Sequence, residues 1–195
     1  MTNIELTLGP IRKELIAELE GNILEVGSGT GTNFEHYNSK AKVIAVEPSS
    51  FMLEKSKVKL PNNSQITIYN MGVDDEKLDS IIDDNSIDYV ICTLVLCTIP
   101  DQNAAFDKFK KWLKPSGKLI ILEHIHAQNK PRRLLYNLVN PFWKIIGDGC
   151  NLNRDTDDSI KKAGFIVESE KYFKNSIDFY QAVFTVPFSK EKEKE

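Results

Sequence analysis

A short apolar segment, Asn22 to Val26, runs directly into Gly27-Ser28-Gly29-Thr30-Gly31, and no other feature restricts the fold of this chain as strongly. Three glycines at alternate positions predict a turn too tight for a Cβ, with positive φ and a backbone that approaches a ligand closely. Thr32 to Tyr37 can start a helix, so the unit reads as strand, glycine turn, helix. Lys42 to Val46 is rich in β-branched residues and reads as a second strand, stopped by Glu47-Pro48 ahead of a helix over 50–59. Strand-like and helix-like segments alternate from residue 10 to about 172, which is the pattern of an α/β protein with a largely parallel sheet.

Helical spacing of Ile11, Leu15, Ile16 and Leu19 predicts an amphipathic helix over 11–20. Further strands are expected at Gln65 to Tyr69, Ile87 to Thr93, Lys118 to Leu122, Phe165 to Val167 and Phe179 to Val186. Phe106, Phe109, Trp112 and Leu113 mark the buried face of a helix that ends before Pro115-Ser116-Gly117. A further helix is expected from Arg154 to Ala163. Residues 125–153 carry Tyr136, Phe142 and Trp143 without strand alternation, and read as a helical insertion that covers a pocket on the substrate side. The expected organisation is a single domain over 1–188 with a charged, solvated tail over 189–195.

Composition narrows the function. The chain has 195 residues, 41% of them hydrophobic, enough for one well-formed core. A net charge of -3 with both signs interspersed argues against a dedicated nucleic-acid binder. Cys92, Cys97 and Cys150 are odd in number and lack paired spacing, so neither a disulfide framework nor a metal site is expected, and a reducing, cytoplasmic setting fits. The first 21 residues contain acids and no continuous apolar stretch, and no segment approaches the roughly 20 apolar residues needed to span a bilayer. No signal peptide, anchor or integral membrane segment is therefore expected, which still allows peripheral membrane association.

The glycine turn sits where open α/β sheets bind ligands, at the carboxyl end of a strand. Glu47, at the end of the second strand, is placed to accept hydrogen bonds from both ribose hydroxyls, which indicates a nucleoside. NAD sites use G-x-G-x-x-G, with a helix N-terminus facing the pyrophosphate. Here the spacing is G-x-G-x-G, and Glu25, two residues ahead of it, suits a cationic ammonium better than a phosphate. S-adenosylmethionine meets that requirement.

Glu25-x-Gly27-x-Gly29-x-Gly31, Glu47-Pro48-Ser49-x-x-Met52, Asp88-Tyr89-Val90 and Leu113-Lys114-Pro115-Ser116-Gly117 together resemble the successive motifs of class I S-adenosylmethionine-dependent methyltransferases. The resemblance implies a Rossmann-like, doubly wound, seven-stranded sheet with an antiparallel last strand and helices on both faces. It also implies a cofactor site. Gly27, Ser28, Gly29, Thr30, Gly31 and Asn33 would wrap the methionine moiety, and Glu47, flanked by Pro48 and Ser49, would hold the ribose. Met52 with Gly72, Val73 and Asp74 would border the adenine, while Thr93, Leu94 and Val95 would line the floor near the methyl group. Residues 90–97, Leu122-Glu123-His124 and 143–152 resemble more closely the microsomal thiol S-methyltransferase branch, whose N-terminal membrane anchor is not expected in this sequence.

That likeness implies a small-molecule acceptor, favours a thiol, and makes S-adenosyl-L-homocysteine the second product. A sulfonium methyl is already activated, so placing a nucleophile behind it matters more than a strong base. An oxygen or nitrogen acceptor would lean on Asp148 or His124 as general base. Each has a structural alternative: Asp148 as a turn residue in Gly147-Asp148-Gly149, His124 as a satisfied histidine after a buried strand. His36 and His126 read as surface residues, and Cys92 as core. Cys97 and Cys150 would suit a soft substrate such as arsenite, although the chain lacks the extended cysteine set of arsenite methyltransferases. The other readings are methylation of an oxygen or nitrogen on a small metabolite or lipid head group, a non-catalytic domain that binds the cofactor to regulate a partner, and an NAD-binding module.

Overall fold

The computed structural model describes residues 3–187, with side chains from residue 6 onward. The tail expected over 189–195 lies outside the described residues. The elements, in chain order, are α1 (Asn3–Ile16), β1 (Gly21–Val26), β2 (Ala41–Val46), α2 (Ser50–Lys57), β3 (Gln65–Tyr69), β4 (Ile87–Thr93), α3 (Gln102–Trp112), β5 (Leu113–His124), α4 (Lys130–Ile146), α5 (Thr156–Lys162), β6 (Ile166–Lys174) and β7 (Asp178–Thr185). The strands form one sheet in the order β3-β2-β1-β4-β5-β7-β6. Neighbours pair in parallel except at β7, which runs antiparallel to both β5 and β6. The doubly wound architecture expected from the motifs is therefore the one observed.

Strands β1, β2 and β4 are apolar because both sheet faces are covered. On one face Phe106, Phe109 and Trp112 of α3 and Ile160 of α5 pack against Leu24, Val26, Val90 and Cys92. On the other, Ile16 of α1 and Phe34 pack against Ile23, Val43 and Ile91. The strand order reverses between β2-β1 and β1-β4, and at such a switch point the carboxyl ends of the strands leave a crevice.

Four expectations change. Helix α1 begins at residue 3 rather than 11, and Pro10 lies within it. The helix expected over 32–37 shrinks to a 3-10 turn, Phe34–His36, because its polar side chains are engaged elsewhere. Asn33 bonds the Glu25 carboxylate, the Tyr37 hydroxyl donates to that same group, and Asn38 bonds the carbonyls of Ala17 and Leu19. β5 extends to both sides of the expected Lys118 to Leu122, with Pro115 and Ser116 exposed where its pairing shifts register against β4. β6 continues past the expected end at Val167 as far as Lys174, because β7 pairs with it along its length.

Candidate active site at the switch point

The glycine turn leaves β1 with Gly27, Gly29 and Gly31 at φ of 64°, 56° and 72°. The three glycines serve different ends. A Cβ on Gly27 would collide with Val95, and one on Gly31 would sit 2.7 Å from the Phe34 ring, so these two are required by packing. A Cβ on Gly29 would meet nothing within 4 Å; that glycine faces open space. The Gly29 N–H donates to Glu47 Oε2 at 2.8 Å, and the Ser49 N–H donates to Glu47 Oε1 at 2.8 Å. Two backbone donors thus fix the carboxylate beside the open glycine, and each oxygen retains a lone pair for a further donor. Ser28 Oγ is buried and has no hydrogen-bond partner among the described residues.

A cavity next to this cradle is lined by Gly27, Pro48, Met71, Val73, Val95 and Ile99, among others. Gly72 and Asp74 also line it, while Met52 is not among its lining residues and Met71 is. Ser49 Oγ caps α2 by accepting from the Met52 N–H. Thr30 lies at the rim, where its hydroxyl accepts from Lys59 Nζ at 3.1 Å.

Glu25, Asn33 and Thr93 form one buried network, and its hub is Arg12, which sequence reasoning missed. Arg12 donates to Asn33 Oδ1 and to Thr93 Oγ1, both at 2.8 Å, while Asn33 Nδ2 donates to Glu25 Oε1 at 2.9 Å. The signal was legible: Leu8, Arg12 and Ile16 recur at i, i+4 on the buried face of α1, and a charge in that stripe needs a partner. Burial pushes the Glu25 carboxyl up to about 7, although Tyr37, Asn33 and Arg12 all favour its ionised form. At neutral pH this carboxylate is poised to ionise fully when a cation arrives.

Leu94 departs from β4 with φ of 57°, and the loop that follows is tied from several sides. Glu123 Oε1 accepts the N–H groups of Val95 and Leu96 at 2.7 and 2.9 Å, Arg154 donates to the Leu96 and Ile99 carbonyls, and Asn151 donates twice to the Cys97 carbonyl. Burial raises Glu123 to about 7 as well.

Sequence reasoning did not bring His124 and the two cysteines together, but the fold does. His124 Nε2 lies 3.1 Å from Cys150 Sγ. Hydrogen bonds from Cys97, His124 and Trp143 pull the Cys150 thiol down to about 4 against its partial burial, and the same contact pushes Cys97 up. Burial opposes a charge on His124, but the hydrogen bond to Cys150 outweighs it and raises the imidazole. Asp148, the other candidate base, is exposed in a left-handed turn with φ of 49°. His126 is buried, not on the surface, and stacks on Tyr136. His36 is half-buried. Of the expected lid, only Tyr136 packs inward, against Ala127 and Leu152; Phe142 and Trp143 stay exposed.

Residues 24–121 match the family model described as a methyltransferase domain, about half of the chain. The chain belongs to that methyltransferase family. Among curated proteins it is 35% identical over 147 residues to thiol S-methyltransferase TMT1B of Rattus norvegicus, covering 75% of this chain and 60% of that protein. It is 31% identical over 146 residues to thiol S-methyltransferase TMT1A of Homo sapiens, covering 74% and 59%. The chain thus spans about three fifths of the length of these two relatives. The crystal structure of an S-adenosylmethionine dependent methyltransferase from Mesorhizobium loti shares the fold, with a TM-score of 0.69 at 17% identity over 91% of this chain and 97% of that one. Among the described residues no helix is long and apolar enough to cross a membrane.

Proposed function

We propose that this chain transfers the methyl group of S-adenosyl-L-methionine to the thiol of a small molecule, releasing S-adenosyl-L-homocysteine and a thioether. The observation that carries the cofactor reading is the cradle at Gly29, where a Cβ would project into open space beside a carboxylate already fixed by two backbone N–H groups. Glu47 takes the ribose hydroxyls there, flanked by Pro48 and Ser49. Gly27, Ser28, Thr30 and Gly31 enclose the methionine end, and the unpartnered Ser28 hydroxyl finds its acceptor or donor in it. Glu25, held by Asn33, supplies negative charge toward the ammonium. Met71, Gly72, Val73 and Asp74 border the adenine, and Thr93, Leu94 and Val95 form the floor.

When bound, the cofactor supplies an electrophilic methyl on a sulfonium. The chain's share of the work is placement and exclusion of water. The Leu94 to Pro100 loop, anchored by Glu123, Asn151 and Arg154, is stiff enough to fix the approach of an acceptor. Similarity to two proteins named as thiol S-methyltransferases supports the choice of sulfur. Three free cysteines fit a reducing compartment such as the cytoplasm. The test is a competition: the chain is incubated with methyl-labelled cofactor and an equimolar mixture of a small thiol, a phenol and an amine. Label in the thioether is the expected result. Label only in the ether or the methylamine would overturn the sulfur reading and leave the cofactor reading intact.

A further inference from the structure

Cys97, His124 and Cys150 reach one point from three places: the loop after β4, the last residue of β5 and the turn after α4. One ligand atom from each lies within 4.8 Å of the other two, and His124 Nε2 and Cys150 Sγ are 3.1 Å apart. Around a tetrahedral zinc-class ion, bonds of about 2.3 Å to sulfur and about 2.0 Å to nitrogen put ligand atoms roughly 3.5–4 Å from one another. Two sulfurs and an imidazole nitrogen gathered within 4.8 Å of one another are therefore a soft donor set that small side-chain adjustments would bring to this spacing. The carriers are rigid. Cys97 is fixed through its carbonyl by Asn151 N and Nδ2 at 3.1 and 2.9 Å, and His124 by its pairing with Phe179 of β7. The Cys150 N–H closes the turn on the Gly147 carbonyl at 2.9 Å.

We propose that Cys97, His124 and Cys150 hold a zinc-class cation, and that its fourth position receives the acceptor thiol as a thiolate. The ion site stands on these three donors alone; its role toward the acceptor rests on the thiol reading above. Among the described residues these three are the only such cluster, so a tetrahedral ion keeps one position open, as catalytic zinc sites do. Cys97 and His124 are buried while Cys150 is half-exposed, so the open side faces outward at Cys150. The same loop that carries Cys97 continues through Thr98, Ile99 and Pro100, which line the cavity of the proposed cofactor site. On binding, the acceptor's S–H bond breaks, its proton passes to bulk water, and the sulfur keeps the electron pair that coordinates the ion. That pair then forms the bond to the methyl carbon, while the electrons of the breaking methyl–sulfonium bond stay on the sulfur of S-adenosylhomocysteine. No oxidant or reductant is consumed. Two protein thiolates and a divalent cation sum to zero charge, so a third thiolate makes the centre anionic and draws it toward the sulfonium.

The full chain, reduced and stripped with a chelator, is titrated with Zn²⁺ against a competing indicator, and separately with Co²⁺. One equivalent of Zn²⁺ per chain is expected, with thiolate-to-cobalt charge transfer and tetrahedral d–d bands in the cobalt form that shift on adding a small thiol but not the matching alcohol. Cys150→Ser and His124→Asn should each weaken Zn²⁺ binding at least tenfold while retaining S-adenosylhomocysteine binding, which reports that the variants fold. Zn²⁺ binding that is substoichiometric, or that survives both substitutions, overturns the site. Cobalt bands indifferent to thiol overturn the acceptor's place on the ion. Because these readouts involve no methyl transfer, failure of the thiol reading in the competition assay remains separable from failure of the ion site.

Discussion

Cofactor affinity should depend on pH through Glu25. The group is buried and sits near pKa 7 without a ligand, whereas a cofactor ammonium at its side favours the ionised form. If only the ionised carboxylate receives the ammonium, the apparent Kd is the intrinsic value divided by the ionised fraction. That fraction rises from about 3% at pH 5.5 to about 50% at pH 7, so affinity should rise about 15-fold, or about 1.6 kcal/mol. The ligand's own amino group stays mostly protonated throughout this window. Calorimetric titration with S-adenosylhomocysteine at pH 5.5, 6.0, 6.5 and 7.0, each in two buffers of different ionisation enthalpy, should show release of nearly one proton at the acid end and about half a proton at pH 7. Glu25→Gln should bind more weakly at pH 7 and lose the slope, which separates Glu25 from Glu123, also near 7. A wild-type Kd that is flat within twofold, with no proton released, would refute the placement of the ammonium at Glu25.

The same group makes a stability prediction of definite sign. Its folded pKa lies above the unfolded value of 4.5, so its contribution is full below about pH 4.5 and is lost as pH rises through 7, by up to about 3 kcal/mol. The ligand-free Glu25→Gln variant should therefore melt above wild type at pH 7.5 and near it at pH 5; the reverse order in thermal denaturation would contradict the burial argument. Glu47→Ala should weaken cofactor binding by about 1–3 kcal/mol, the scale of hydrogen bonds to a charged group, and unchanged affinity in calorimetry would remove Glu47 from the site. Gly29→Val puts a branched side chain into open space at φ of 56°, a conformation that strains it, so the melting temperature should fall and binding should be lost in a chain whose circular dichroism stays native; a variant that folds and binds normally would exclude the cradle. Asp148→Asn should keep steady-state turnover near wild type, because asparagine suits the left-handed turn equally well and the residue is exposed; a loss of tenfold or more would make it the base.

The sheet was legible because buried parallel strands are short apolar runs with abrupt polar ends, and β3 and β4 fall where the pattern puts them. Glu47 and the three glycines were legible for a related reason: their positions are set by the strand ends. Local pattern failed where side chains act over long separations. Thr32 to Tyr37 has no breaker, but Asn33 and Tyr37 are drawn to Glu25, Arg12 and Thr93 over long separations rather than continuing a helix. Arg12 lies 81 residues from Thr93, its hydrogen-bond partner, and Cys97 is as remote in sequence from Cys150 as the β4 and α4 ends of the fold are. The odd cysteine count pointed away from a paired site, since it counted Cys92, which belongs to the core.

The most direct measurement is a crystal structure of the chain with S-adenosylhomocysteine. Both ribose hydroxyls should donate to Glu47, the ligand should pass over Gly29, and its amino group should face Glu25 with its sulfur above Leu94 and Val95. A ligand bound elsewhere, or in this crevice with its ribose away from Glu47, would contradict the site from which the proposed chemistry is built.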